Sequence, residues 1–163
     1  MDKNFSAETK VLVGKAQEFA LDLGYNQVST VHFFIANCKM DGNYNPREFL
    51  FPNEGEFQNF YNSQRIGEPK KIKEKEILSL TNEAEKTIRL SLKLKRKIKS
   101  KQVQPIQLLL AATQISDSLF LSLCFEKENA YSQLLDFYKS KGYLKESPSE
   151  GFFQKIKKFL FKS

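Results

Sequence analysis

Few residues of this chain have the chemistry needed for catalysis or metal binding. His32 is the only histidine among 163 residues. No nucleophile or acid partner for it can be identified, so we expect a structural imidazole, hydrogen-bonded at a helix N-terminus. Acidic residues such as Glu54 and Glu56 are typical of a solvated surface rather than of an acid–base pair. Cys38 and Cys124 are the only cysteines and lie far apart in the sequence, which argues against a disulfide or a zinc site.

The sequence also lacks a motif for binding nucleotide phosphates. The sequence contains no G-x-x-x-x-G-K-[ST], and its seven glycines are scattered like turn residues, so we expect no ATP-binding cradle. We therefore predict that the protein is not an enzyme, that it needs no cofactor or metal, and that its work is binding.

Composition predicts a helical protein of one domain. Hydrophobic residues make up 40% of the chain, with many Phe and Leu and few Gly, which favours helices over a β-sandwich. No apolar run approaches the roughly 20 residues that span a bilayer. The two isolated cysteines fit a reducing compartment, so we expect a cytoplasmic protein. Charge is uneven: residues 1–68 hold 6 Lys/Arg against 9 Asp/Glu, whereas residues 69–163 hold 20 against 10.

Local signals predict eight helices in the body of the chain. Ser6 can cap a first helix that ends at Gly24, and Ser29 or Thr30 a second. Pro46 fits the start of a short third helix, and the fourth follows it around Phe57. Thr81 opens a long fifth helix. The sixth helix is expected to begin at Pro105, and the seventh to be capped by Asp117 or Ser118. The eighth helix is expected to end at Gly142.

The chain also repeats itself. "VSTVHFF" (Val28–Phe34) and "VQPIQLLL" (Val103–Leu110) align at an offset of 75 residues, which also pairs Phe5 with Leu80 and Ser6 with Thr81. A repeat of this length indicates two units that bury their apolar faces against each other. We predict an all-α fold of two pseudo-twofold-related four-helix repeats in one compact domain, residues 1–145, with repeat one at about 5–66, a linker at 67–78 and repeat two at about 79–142. A C-terminal amphipathic helix is expected within residues 146–163.

These residues resemble the repeat of the Clp N-terminal domain, which precedes the AAA+ modules of Clp-type unfoldases. In the first copy the matching positions are Phe5-Ser6, Ala16, Ala20, Leu23-Gly24-Tyr25-Asn26, Val28-Ser29-Thr30-Val31-His32 and Phe33-Phe34-Ile35-Ala36. The second copy keeps Leu80-Thr81, Val103, Pro105 and Leu108-Leu109-Leu110-Ala111. The resemblance covers residues 5 to about 141. It is limited to the N-terminal domain and does not include an ATPase module.

The resemblance implies a domain that captures substrates or adaptors for an unfoldase. In some members it binds phosphoarginine, through a hydroxyl at the first helix start and a glutamate before the histidine. Ser6 and Thr81 keep the hydroxyl, but Val31 and Ile106 replace both glutamates. An isopropyl group cannot pair with a guanidinium. We therefore predict that this form of recognition is lost, and that Ser6, Val31, Thr81 and Ile106 line an apolar groove for a partner helix or peptide.

Two basic segments lie outside that motif. The stretch "KLKRKIKSK" carries Lys93, Lys95, Arg96, Lys97, Lys99 and Lys101; it fits a solvated helix end, an acidic protein partner or, least well, nucleic acid. In the tail, Phe152, Phe153, Ile156, Phe159 and Leu160 supply apolar side chains beside several lysines. A helix of about 12–15 residues is marginal alone in water, so this one would dock on the protein's own body, on a partner or on an anionic membrane.

We thus expect a protein- or peptide-binding module that acts as adaptor, substrate-recognition factor or regulator of a Clp-type unfoldase or protease, in the sphere of chaperones and proteolysis. Its partner would be that unfoldase or its substrate. The alternatives are a component of a secretion or assembly machine and a peripheral membrane scaffold anchored by the C-terminal basic helix. A nucleic-acid-associated protein is a weaker fit.

Overall fold

A computed structural model describes residues 3–40, 45–71, 76–97, 100–124 and 128–143. Within them the chain forms eight α-helices and two short β-strands. In chain order these are α1 (Ala7–Asp22), β1 (Gln27–Val28), α2 (Thr30–Lys39), α3 (Arg47–Leu50), α4 (Glu54–Ser63), β2 (Ser79–Leu80), α5 (Asn82–Lys97), α6 (Pro105–Ala112), α7 (Leu119–Leu123) and α8 (Ala130–Ser140). The predicted all-α class is confirmed, and the small sheet is an addition that the sequence analysis did not anticipate.

The two halves are joined by reciprocal strand pairs. Val28 pairs in parallel with Leu80, and Phe5 forms a parallel bridge with Val103. At the 75-residue offset Phe5 corresponds to Leu80 and Val28 to Val103, so each half gives its helix-starting segment to the other. The adjoining hydrogen bonds match: Ser6 N–H donates to the Val103 carbonyl (3.1 Å) and Thr81 N–H to the Val28 carbonyl (2.9 Å). This reciprocity is the signature of a pseudo-twofold axis.

The second helix of each half lies at the centre. Every residue from Thr30 to Cys38 of α2 is buried, and so is every residue of α6 except Gln107. Helices that are apolar all round are buried on all sides. Accordingly α1 packs on α2, α5 packs on α6, and α2 also contacts α5, α6 and α7.

Aromatic side chains fill the space between these helices. Phe34 of α2 and Phe120 of α7 are fully buried, with ring centroids 5.0 Å apart. Truncating a buried phenylalanine to alanine costs roughly 3–5 kcal/mol, so each of these two side chains contributes strongly to the stability. Cys38 and Cys124 are both buried free thiols, and burial raises the pKa of each.

The end of α1 requires glycine. Gly24 has φ +90°, and a Cβ at this position would lie 2.8 Å from the backbone nitrogen of Gly67. The chain after α4 passes this close because Ile66 N–H and Lys70 N–H donate to the carbonyls of Leu23 and Leu21. The predicted linker at 67–78 therefore begins as a segment fixed to α1. The division of the chain into 1–145 and a tail remains a prediction.

Candidate functional site

The two aliphatic residues predicted to line a groove are packed inside the protein. Val31 is 6% exposed and Ile106 is 5% exposed. Val31 contacts Leu23, Ile35 and Tyr61 in a small cluster of their own, and Ile106 belongs to the main core. Both lie in the first turn of a central helix, where an apolar side chain is covered by the neighbouring elements. They offer almost no surface to a partner, and the apolar groove expected here is corrected to a pair of core positions.

Each predicted site is composite, built by both halves. The strand exchange places Ser6, at the start of α1, beside Val103 and the start of α6. It places Thr81, at the start of α5, beside Val28 and the start of α2. The sequence motif pairs the hydroxyl and the aliphatic residue of the same repeat. In the structure, however, the hydroxyl of each repeat lies beside the helix start of the other repeat.

At the second of these junctions a carboxylate closes the site. Glu83 is 6% exposed and accepts hydrogen bonds from the N–H of Thr30 (3.0 Å) and of Leu119 (3.1 Å). The hydroxyls of Thr30 and Thr81 donate to the same carboxylate. Glu83 also lies in the first turn of its own helix, α5. Three helix N-termini therefore converge on one negative charge, an arrangement that stabilises an anion.

The network extends to the start of α7. Thr30 Oγ1 accepts from Phe120 N–H (2.9 Å) and lies 3.2 Å from Ser118 Oγ, and Ser118 Oγ caps α7 through Leu121 N–H. The donors that could have held a phosphate or carboxylate of a ligand are thus occupied by the protein's own Glu83. An incoming anion would have to displace a buried, multiply bonded carboxylate.

The first junction is also satisfied internally. Ser6 Oγ accepts from Thr9 N–H (3.1 Å) and lies 2.9 Å from Thr9 Oγ1. Thr9 Oγ1 donates to the Val103 carbonyl at 2.7 Å. Ser6 itself is only 5% exposed. Its hydroxyl caps α1, as predicted, and is not presented to solvent for a ligand.

The lone histidine is a helix cap, as the sequence analysis expected. His32 Nδ1 accepts from Ser29 N–H at 2.9 Å, and in the other half Gln107 Oε1 accepts from Gln104 N–H at 3.0 Å. An imidazole and an amide thus accept the equivalent backbone hydrogen bond at equivalent positions of the two halves. Burial lowers the pKa of His32 from 6.5 to about 4, so the ring is neutral near pH 7 and its Nδ1 is free to accept.

The basic stretch lies at the far end of α5. Lys93, Arg96 and Lys101 are exposed, whereas Lys95 is half-buried and donates to the side chain of Asn4. The sequence analysis did not connect Lys3 with this stretch. The structure does, because the Lys3 carbonyl accepts a hydrogen bond from Gln102 Nε2 at 3.2 Å. The side chain of Lys97, the residue Lys99 and the tail residues Phe152, Phe153, Ile156, Phe159 and Leu160 lie outside the part of the chain that the structure describes.

Neither a metal-binding cluster nor a membrane-spanning helix is found within the described ranges. No group of three or more His, Cys, Asp and Glu side chains there is arranged to hold a metal ion. None of the described helices has both the length and the apolar composition needed to cross a bilayer.

Comparison with known proteins shows the fold alone. No protein-family model matches the sequence, and no match was found among the curated proteins. A solved structure from preliminary investigations of a malarial protein secretion system is similar, with a TM-score of 0.62 and 18% sequence identity. The alignment covers 90% of this chain and 99% of that one. The two chains therefore share an architecture over nearly their whole lengths.

Proposed function

We propose that this protein is a non-enzymatic protein-binding module of the Clp N-domain type, acting as adaptor, substrate-recognition factor or regulator of a Clp-type unfoldase. One observation carries the proposal: the two halves exchange their helix-starting segments through Phe5–Val103 and Leu80–Val28. This doubled fold agrees with the repeat that the sequence resembles. Such a domain presents helix faces to other proteins and needs no reactive group of its own.

A binding role without catalysis also fits the polar groups inside the protein. His32 caps α2, Ser6 caps α1 and Glu83 joins three helix starts. Each of these groups makes structural hydrogen bonds within the fold. The free thiols of Cys38 and Cys124 agree with a reducing compartment, and the proposal places the protein in the cytoplasm.

A second candidate is a component of a secretion or assembly machine. What favours it is the solved structure of similar fold from work on a malarial protein secretion system. Because one fold serves many functions, this likeness keeps the candidate open without choosing between the two. The membrane-scaffold alternative depends on residues 146–163, outside the described residues.

Titration of the purified protein into a Clp-type unfoldase and its protease from the same organism tests the first proposal. We expect saturable binding and at least a twofold change in the rate at which a fluorescent substrate is degraded. A basic protein of similar size and charge serves as the control. Absence of both binding and any rate change would contradict the proposal, and crosslinking in cells to export components instead would favour the second candidate.

A further inference from the structure

One outward stripe of α5 changes character along its length. Its exposed residues follow helical spacing: Glu85 and Lys86, then Arg89, Lys93 and Arg96. In the first half the charges are paired, because Lys86 contacts Asp117 (3.0 Å) and Arg89 contacts Glu85 (3.7 Å). Within the described residues, neither Lys93 nor Arg96 takes part in any ion pair.

Residues outside α5 add further cations to the part of the stripe that forms no ion pairs. The Ser100 N–H donates to the Lys95 carbonyl (3.0 Å) and closes the end of α5, which brings Lys101 next to the helix. Gln102 Nε2 then holds the carbonyl of Lys3. Lys3 and Lys101 are both exposed, so a residue more than ninety positions away in sequence joins the same area. We call Lys3, Lys93, Arg96 and Lys101 the α5 basic surface.

The part of the chain that holds Lys93, Arg96 and Lys101 lacks acidic residues, whereas Asp2 directly precedes Lys3. From Lys86 through Ser116 the chain contains no Asp or Glu. Lysines near a helix C-terminus are favoured by the helix dipole, but that effect is confined to the last turn. It accounts for charges near Arg96 and not for Lys93, one turn earlier, or for Lys3 on another segment. Four exposed cations in one area, unpaired within the described chain, attract and orient an acidic partner.

The chemistry of the area favours an acidic protein segment over other anions. Proteins that bind single-stranded nucleic acid without sequence preference combine a basic groove with exposed aromatic side chains on which the bases stack. Amphipathic helices that bind membranes combine basic residues with exposed apolar side chains that enter the lipid. The large apolar side chains exposed within the described ranges are Val11, Ile66, Ile77 and Leu119. None of these is aromatic, and none belongs to the α5 basic surface.

We propose that the α5 basic surface is where this module docks an acidic segment of a protein partner. The inference rests on the proposed binding function and supplies a site for it, in place of the buried Val31 and Ile106. The carboxylates of a Glu- or Asp-rich stretch lie opposite Lys93 and Arg96 along the stripe, and Lys3 and Lys101 extend the contact beyond the helix end.

Fluorescence anisotropy with a labelled twelve-residue glutamate-rich peptide tests the surface. The test variant is Lys93→Glu with Arg96→Glu. The matched control is Lys70→Glu with Lys71→Glu, which changes the net charge equally on exposed residues. The Lys70 N–H is bonded to the Leu21 carbonyl at the C-terminal end of α1. The Lys70 backbone therefore lies about 21 Å, the rise of α1 between Leu21 and Ala7, from the end of α1 that adjoins Lys3. That separation exceeds the Debye length at ordinary salt, about 8–10 Å.

We expect the test variant to weaken peptide binding at least about tenfold, and the control to stay within about twofold of the original protein. Equal weakening by both variants, or no peptide binding at low salt, would overturn the proposal. So would tighter binding of a single-stranded oligonucleotide of equal charge, or of anionic vesicles, than of the peptide.

The two proposals fail differently. If the test variant still regulates the unfoldase as the original protein does, the surface assignment is wrong and the function stands. If the original protein binds the peptide through this surface but neither binds nor affects the unfoldase, the function is wrong and the surface stands.

Discussion

His32 predicts a specific loss of stability in mild acid. The residue is 1% exposed. Its Nδ1 accepts from Ser29 N–H, and its ring packs edge-on against Tyr25 with ring centroids 4.7 Å apart. Protonation would place a hydrogen on Nδ1, facing the N–H that it now accepts from, and would bury a charge. The folded state therefore resists the proton that the unfolded chain takes up readily.

The sign follows from the direction of the pKa shift. The pKa of His32 falls from 6.5 to about 4 on folding, so between these values the unfolded chain binds more protons than the folded one. Stability is full above pH 6.5 and is lost as the pH falls towards 4. With these two pKa values, the loss between pH 7 and pH 5 is about 2 kcal/mol. For a chain of this size that corresponds to a fall in Tm of roughly 4–7 °C.

The matched variant is His32→Gln, because the other half already uses Gln107 at the equivalent position. The amide keeps an acceptor for Ser29 N–H and cannot be protonated in this range. Urea unfolding at pH 7, 6 and 5 compares the slopes of stability against pH. We expect the original protein to lose about 2 kcal/mol more than the variant, whatever the absolute stability of either protein.

The carboxyls affect both proteins alike. Hydrogen bonds lower the pKa of Asp22, Glu48 and Asp117, chiefly from Tyr61, Lys141 and Lys86 respectively, so their contributions cancel in the difference. Since the chain has one histidine, its NMR titration is unambiguous. A midpoint near 6.5 in the folded protein, or parallel slopes for the two proteins, would refute the reasoning.

Two further pairs of substitutions have expected outcomes in the same unfolding assay. Gly24→Ala should lower the free energy of unfolding by about 2 kcal/mol or more, because φ is +90° and the new Cβ would meet Gly67. Gly14→Ala, in an open helical position, should instead raise the free energy of unfolding by about 0.5–1 kcal/mol. Glu83→Gln should cost about 2–4 kcal/mol by leaving buried donors poorly satisfied. The exposed Glu85→Gln should stay within about 0.5 kcal/mol of the original, and equal losses at the two glutamates would contradict the role given to Glu83.

The sequence predicted those features that depend on local chemistry. Ser6 and Ser118 cap α1 and α7, and Gly24 and Gly142 have positive φ after α1 and α8, as expected. In each case the side chain, or its absence, acts on backbone groups only a few residues away. The 75-residue repeat was also visible, because its copies keep the same residue types in the same order.

The exchange of segments between the halves could not be predicted in this way. β1 and β2 have two residues each, too few to show an alternating pattern. Glu83 had the character of a surface residue, since its donors come from Thr30 and Leu119, far away in the chain. The burial of Val31 and Ile106 was missed for a related reason. An aliphatic side chain in the first turn of a helix is equally compatible with a groove and with a core, and only the elements packed around it decide.

The same exchange explains why the two halves differ in polarity. At the 75-residue offset Glu8 corresponds to Glu83, and Thr30 to Pro105. Thr30 provides Glu83 with an N–H and a hydroxyl, but a proline has neither. A carboxylate buried beside Pro105 would lack both of these donors and would be costly. Accordingly Glu8 is exposed, and Thr9 makes the buried contact with Val103 in its place. One substitution at a helix start therefore settles which half carries a buried charge and which presents its acid to solvent.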